Sequence, residues 1–249
     1  MSVGIEIADG VAGIRIARAD VSNAIDLPTA TALGAAVDRA LADPDVRVVL
    51  LSGDGPRFCA GGDVASMLAA EDQAGYLEEL AGVLDGVLQR LAAGEKPVVA
   101  AVQGAVAGAG LAVMLSCDLI VAEEATRFVS AYAGVGLTPD CGLSWLLPRA
   151  VGQVRALELL LTQRVLRAEE ALAWGLVTEV AAGSALERAG ELAAAIAAGP
   201  AEAYGQARRL VRGAAERSRA ETGADEARTI ARAVTTPYAQ QRLSAFAGR

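Results

Sequence analysis

"PVVAAVQGAVAGAGLAVMLSC", residues 97–117, runs 21 positions without a charge. Its length would allow a membrane span, and Gly104 and Gly108 stand at the spacing of packed membrane helices. The order of residues argues otherwise. Pro97 opens a β-branched run, Gln103 and three glycines interrupt the segment, and a short apolar stretch closes it. That order predicts a buried strand over 97–103, a Gly-rich turn and a short helix from about residue 108.

Similar signals extend outward in both directions. "VGIEIA" and "VAGIRIA" flank Asp9-Gly10 and predict a hairpin with a two-residue turn. Leu33, Val37 and Leu41 mark one face of a helix that stops at Asp43-Pro44. "VRVVLLS" (46–52) reads as a buried strand, and Leu77, Leu80, Leu84, Val87, Leu88 and Leu91 as the apolar face of a second helix. A further strand, "LIVAE", begins at 119. Strands alternating with helices predict an α/β fold around a parallel sheet with right-handed crossovers. Beyond about residue 150 the pattern turns mostly helical, and Gly199-Pro200 sets off segments such as "AEAYGQARRLVRGAAERSRA" that are charged on one side only.

Composition narrows the function. The 249 residues are 53% hydrophobic but only 4% aromatic, so the core must rely on close helix–sheet packing. A net charge of −8 argues against nucleic acid, whose partners carry basic faces. The chain has no histidine, which removes Ser-His-Asp and Cys-His catalysis and histidine metal sites together. Cys59, Cys117 and Cys141 fit neither a disulfide framework nor a zinc pattern, so a reducing compartment is expected. "MSVGIEIADG" lacks the features of a signal peptide; the expected location is cytoplasmic, with no membrane partner and no metal.

Two glycine-rich loops carry the chemistry. "FCAGGD" (58–63) follows the strand at 46–52, and "GAVAGAGLA" (104–112) follows the strand at 97–103. Each leaves the carboxyl end of a parallel strand, where open α/β sheets build their sites. The second is no dinucleotide fingerprint: Val113 stands where a third small residue is needed, and Asp118 comes too early for a ribose contact. The loops are then either two tight turns packed under helices or two sets of backbone N–H groups converging on one oxygen. The third feature is "FVSAYAGVGLTPDCGLSWLLP" (128–148), whose single charge is Asp140. Asp140 reads as the cap of a helix starting at Cys141 and closed by Pro148, or as a functional carboxylate.

"SNAIDLPTATAL", "LSGDGPRFCAGGDVASM", "EKPVVAAVQGAVAGAGLAVMLSCDLIVAEEATRF", "GVGLTPDCGLSWLLPRAVGQVRALELLLT" and "EEALAWGLVTEV" resemble, in order and spacing, the enoyl-CoA hydratase/isomerase family, the crotonase superfamily. The resemblance covers roughly residues 5–247 and lies nearest to the ring-epoxide isomerases of phenylacetate degradation. It implies a spiral of ββα units forming an acyl-CoA-binding core (1–195). It also implies a C-terminal helical region (196–249) that builds a homotrimer or a dimer of trimers. The substrate would be an acyl-CoA thioester, with no cofactor beyond the CoA it carries.

The same resemblance implies oxyanion-hole N–H groups at Gly62 and Ala109, and a carbonyl at Ala60 for the CoA adenine. Ala24, Gly61, Gly108, Gly110 and Tyr132 would contact the substrate as well, and Phe246 would touch the CoA of a neighbouring subunit. Tyr132 and Trp145 are expected to shape the acyl pocket. The chain also departs from the family. The two glutamates of the hydratases fall on Ala112 and Tyr132, whereas Asp140 within "PDCGLSWLLPRAVG" matches the isomerases' aspartate. The family's dehalogenases pair an aspartate with a histidine, and no histidine is present. Ser22 replaces a basic residue near the CoA phosphates, so Arg18 or another arginine must help. The expected activity is double-bond isomerisation through Asp140; the alternatives are hydration and acyl-CoA binding without turnover.

Overall fold

The hairpin and the 97–117 segment form as read in the computed structural model, which describes residues 1–248. Strands β1 (Val3–Ala8) and β2 (Val11–Ile16) pair antiparallel, with Ala8 opposite Val11. Their turn places Asp9 at φ 50° and Gly10 at φ 79°, the left-handed pair that a two-residue hairpin requires. Helix α1 (Leu27–Ala42) is capped by the Asp26 carboxylate, which accepts the Thr29 N–H at 2.9 Å. Strand β3 (Val48–Gly53) starts two residues later than its sequence suggests, because the Val46 and Arg47 N–H groups donate to the Asp43 and Gly10 carbonyls.

Helices α2 (Val64–Ala69) and α3 (Gln73–Ala93) then lead into β4 (Val98–Val102). The segment from 97 to 117 resolves into β4, the short strand β5 (Ala105–Ala107) and helix α4 (Ala109–Leu115). Among the described residues no helix is long and apolar enough to cross a membrane. Next follow β6 (Leu119–Glu123), β7 (Arg127–Val129), α5 (Leu143–Val151), α6 (Gln153–Thr162) and β8 (Leu166–Arg167). Helix α7 (Ala168–Trp174), strand β9 (Glu179–Ala181) and helices α8 (Ala185–Ala197), α9 (Ala201–Gly213), α10 (Arg219–Ala233) and α11 (Pro237–Ala247) complete the chain.

Six strands form one sheet in the order β1-β2-β3-β4-β6-β9, parallel from β2 onward, and β5-β7-β8 form a smaller one. Alternation along the strands divides the core in two. Val49, Leu51, Val98, Ala100 and Val102 face α1, α3 and α4, while Val48, Val99, Ala101 and Val121 face α8. The α8 side of that contact is Ala185, Ala189, Ala193 and Ala197, a stripe of one residue every four that lets the helix lie close to the sheet. On the other face Leu84 and Leu91 of α3 are each wholly buried, a burial worth about 1.5–3 kcal/mol per leucine.

The C-terminal helices are tied to this core by buried charge. Arg208 of α9 donates to the Leu91, Ala92 and Gly94 carbonyls at the end of α3, and its Nε lies 2.6 Å from Asp118 Oδ2. Asp118 in turn accepts the Val98 N–H at 2.8 Å and pairs with Arg212 at 2.7 Å. This one carboxylate therefore joins the start of β4, the start of β6 and helix α9.

Candidate active site

The loop that follows β3 is held from behind. Asn23, fully buried at φ 56°, accepts the Arg18 N–H and donates to the Asp54 and Arg57 carbonyls at 2.8 and 2.7 Å. The Arg18 guanidinium lies 3.0 Å from both Asp26 and Asp63. Asp63 caps α2 through the Ala65 and Ser66 N–H groups, so one arginine joins the caps of α1 and α2 across the loop. Arg18 is thereby committed to carboxylates rather than left free for the CoA phosphates, which leaves another arginine for that expected role. Arg57 donates to the Ser22 hydroxyl at 2.7 Å.

The two glycine-rich loops meet directly. Cys59 bridges to Val106 and Ile25 to Gly62, pinning the first loop on both sides. Gly61 adopts φ 101°, and Gly110 fits only because it lacks a side chain: a Cβ there would stand 2.5 Å from the Cys59 carbonyl oxygen. A Cβ on Gly61 would stand 3.4 Å from the Ala109 nitrogen, so the residue before Gly62 lies against the N-terminus of α4. Among the described residues neither the Gly62 nor the Ala109 N–H finds an acceptor; Ala109, first in its helix, has none by construction. Both residues line one cleft of about 480 Å³, together with Ala60, Gly61, Gly108, Tyr132 and Asp140.

Asp140 is no helix cap. Helix α5 begins at Leu143 after Gly142, whose φ of 73° makes the turn, and no side chain caps it. Pro148 lies inside α5, which continues to Val151. The capping reading fails because the carboxylate is claimed elsewhere: Tyr132 donates its hydroxyl to Asp140 Oδ1 at 2.6 Å. Positive φ at Cys141 (49°) and Gly142 turns the chain so that Asp140 faces back toward Tyr132. Among the described residues Asp140 Oδ2 accepts no hydrogen bond. Burial, followed by the adjacent carboxylate, pushes the Tyr132 phenol well above the ordinary tyrosine range, so it stays a donor.

Gly110, Ala24, Phe246 and Trp145 are not among the residues that line this cleft. Gly110 is buried behind the cleft, and the buried Ala24 offers its carbonyl to Arg18 Nη1 at 2.5 Å. Phe246 projects from α11 and is 78% exposed. Trp145 does not line the cleft; it is stacked under Arg149 at 3.6 Å. Cys141 is buried, as are Cys59 and Cys117. Sequence reasoning missed Glu78, which lines the cleft from α3. Its only signal was being a polar residue beside the apolar face of that helix. A second groove, about 730 Å³, lies among α9, α10 and α11 and includes Pro200, Ile230, Val234, Tyr238 and Leu243, but neither glycine-rich loop.

Comparison with known proteins agrees with this fold. The family model described as Enoyl-CoA hydratase/isomerase matches residues 6–249. A 4-chlorobenzoyl coenzyme A dehalogenase-2 of Arthrobacter sp is 32% identical over 98% of this chain and 90% of its own. A 1,2-epoxyphenylacetyl-CoA isomerase of Escherichia coli strain K12 is 39% identical over 55% of this chain and 53% of its own. The crystal structure of an enoyl-CoA hydratase from Polaromonas sp. JS666 superposes with a TM-score of 0.93 at 30% identity, covering 99% of this chain and 96% of that one. Two unpartnered backbone donors on adjoining glycine loops, the α/β architecture and these similarities lead to one conclusion: the chain belongs to the enoyl-CoA hydratase/isomerase family, with the crotonase fold.

Proposed function

We propose that the protein is an acyl-CoA double-bond isomerase in which Asp140 carries a proton between two carbons of the acyl chain. The observation that supports this most is the convergence of two unpartnered N–H groups and one carboxylate with a free oxygen in a single cleft. The thioester carbonyl oxygen accepts from Gly62 and Ala109. Asp140 Oδ2 then takes a proton from C2 of a 3-enoyl thioester. The C–H electron pair moves into a dienolate whose negative charge rests on the carbonyl oxygen, where each such donor is worth on the order of 10²–10³ in rate. The proton on Oδ2 passes to C4, the carbonyl re-forms, and the double bond stands between C2 and C3. Nothing is oxidised or reduced, and the only coenzyme needed is the CoA of the substrate.

Similarity to the 1,2-epoxyphenylacetyl-CoA isomerase favours isomerisation. A dehalogenase route is disfavoured because the chain has no histidine. Hydration is the second reading, and one observation favours it: Glu78 brings a second carboxylate to the cleft wall. Against it, Ala112 and Tyr132 offer no carboxylates to hold water.

The test incubates 2-enoyl, 3-enoyl and aryl-acetyl thioesters with the protein in deuterium oxide and reads label position and mass gain. A moved double bond without added water supports the isomerase, with deuterium at carbon only where the Oδ2 proton exchanges before its return; added water supports the hydratase, and an unchanged thioester a binder without turnover. Asp140→Asn should lower turnover by about 10²–10⁴ while affinity for a substrate analogue holds. Near-normal turnover in that variant would sink the role given to Asp140.

A further inference from the structure

We propose that Tyr132 is a positioning residue that fixes which oxygen of Asp140 carries the proton, and how far that oxygen stands from the Ala109 N–H. The inference rests on the reading of Asp140 as the base. A free carboxylate turns broadly about its last torsion and presents either oxygen. Here the Tyr132 hydroxyl occupies Oδ1 at 2.6 Å, so rotation is stopped and Oδ2 is left for substrate.

The tyrosine is itself held. Its carbonyl accepts the Val135 and Leu137 N–H groups at 3.1 and 3.0 Å, which close the turn that carries it, and only 9% of the residue is exposed. Its ring also lies beside the second donor loop: a Cβ placed on Gly108 would stand 3.9 Å from Tyr132 Cζ. One side chain thus bonds the base and lies beside the residue directly before Ala109. It acts as a spacer between the group that moves the proton and a donor to the oxygen that takes up the negative charge. The elevated ionisation of the phenol keeps the spacer neutral and donating throughout the working pH range.

Misplacing a reacting group by about 1 Å can cost about 10²-fold, and a hydrogen bond to a charged group is worth one to two powers of ten. Tyr132→Phe keeps the ring and its packing and removes only the hydroxyl. With 3-hexenoyl-CoA as the probe, its kcat should fall about tenfold to a hundredfold while KM stays within about twofold. A pocket-shaping role alone would raise KM and spare kcat. Replacing Tyr132 with 3,5-difluorotyrosine keeps ring and donor and should restore most of the lost kcat. Should Phe fail to fold, a difluorotyrosine variant with the tenfold or larger loss expected of Phe would overturn the proposal by itself.

Asp140→Asn is measured in parallel to separate the two claims. A dead Asp140→Asn with an unimpaired Tyr132→Phe overturns the positioning role and leaves the base in place. An active Asp140→Asn, or wild-type protein that leaves the whole thioester panel unchanged, overturns both.

Discussion

Gly110→Ala should separate the two donor loops with the addition of a single carbon. The new Cβ would stand 2.5 Å from the Cys59 carbonyl oxygen and 3.1 Å from Cys59 Cβ. An ordinary C···O contact is about 3.3–3.6 Å, so the backbones must part by roughly 1 Å. Neither side yields easily: Cys59 is fully buried and its carbonyl already accepts the Ala107 N–H at 3.0 Å. Overpacking of this kind costs about 1–3 kcal/mol, and a domain of this size loses about 2–4 °C in Tm per kcal/mol. The Ala109 N–H sits one residue from the inserted carbon. A displacement of roughly 1 Å at one donor should therefore lower kcat about 10²-fold. Gly82→Ala in α3 is the control, because a Cβ there meets no atom within 4 Å and should stabilise by about 0.5–1 kcal/mol. Steady-state kinetics and thermal unfolding of both variants make the comparison. Gly110→Ala with wild-type kcat and Tm would refute the claim that close approach of the loops builds the site.

Three further outcomes are expected. Burial pushes the Cys59 thiol up to about 11 and, as the largest cause, the Cys117 thiol up to about 12, with Cys141 raised as well. Native protein at pH 8 should then give no rapid reaction with a disulfide reagent, and all three thiols should react in urea; one fast thiol in the native state would contradict this. Hydrogen bonding from Arg209, reinforced by Arg217, holds the Asp225 carboxyl below the usual carboxylate range. A carboxyl depressed in the folded state contributes stability above the ordinary value of about 3.9 and loses it as pH falls further. The urea midpoint should accordingly drop less between pH 5 and pH 3 in Asp225→Asn than in wild type, and equal drops would exclude the contribution. Finally, Val211, Ile230, Leu243 and Phe246 expose half or more of their surface on the last three helices, so the protein is expected to form a trimer or pair of trimers. A monomeric mass by light scattering at micromolar concentration would exclude that assembly.

Local signals in the chain reach quite far into this structure. Asp9-Gly10 between alternating runs, the divided 97–117 segment and the leucine face of α3 each carry their conformation in neighbouring residues, and each forms where expected. Both glycine loops were legible for the same reason: a glycine answers to steric demands close at hand. The fate of Asp140 was harder to read. Its position before Cys141-Gly142 satisfies the local requirements of a cap, and only left-handed φ values at those two residues aim the carboxylate at a tyrosine eight positions earlier. Strand β9 was missed because three residues pair with β6 across an intervening stretch of more than fifty, a contact no window of sequence contains. Arg18 looked available for phosphate because an arginine in isolation shows its charge and not its partners.

The Arg208–Asp118 clamp bears on cooperativity. Gly199-Pro200 looks like a seam, and a chain cut there would seem to release a complete α/β core. It would instead strip the Leu91, Ala92 and Gly94 carbonyls and the Asp118 carboxylate of their donors from α9, leaving buried acceptors unmatched at the end of α3. Helix α9 thus serves as the external terminator of a helix more than a hundred residues earlier. The seam belongs to topology rather than to energy, and the two sides of it should melt in one transition.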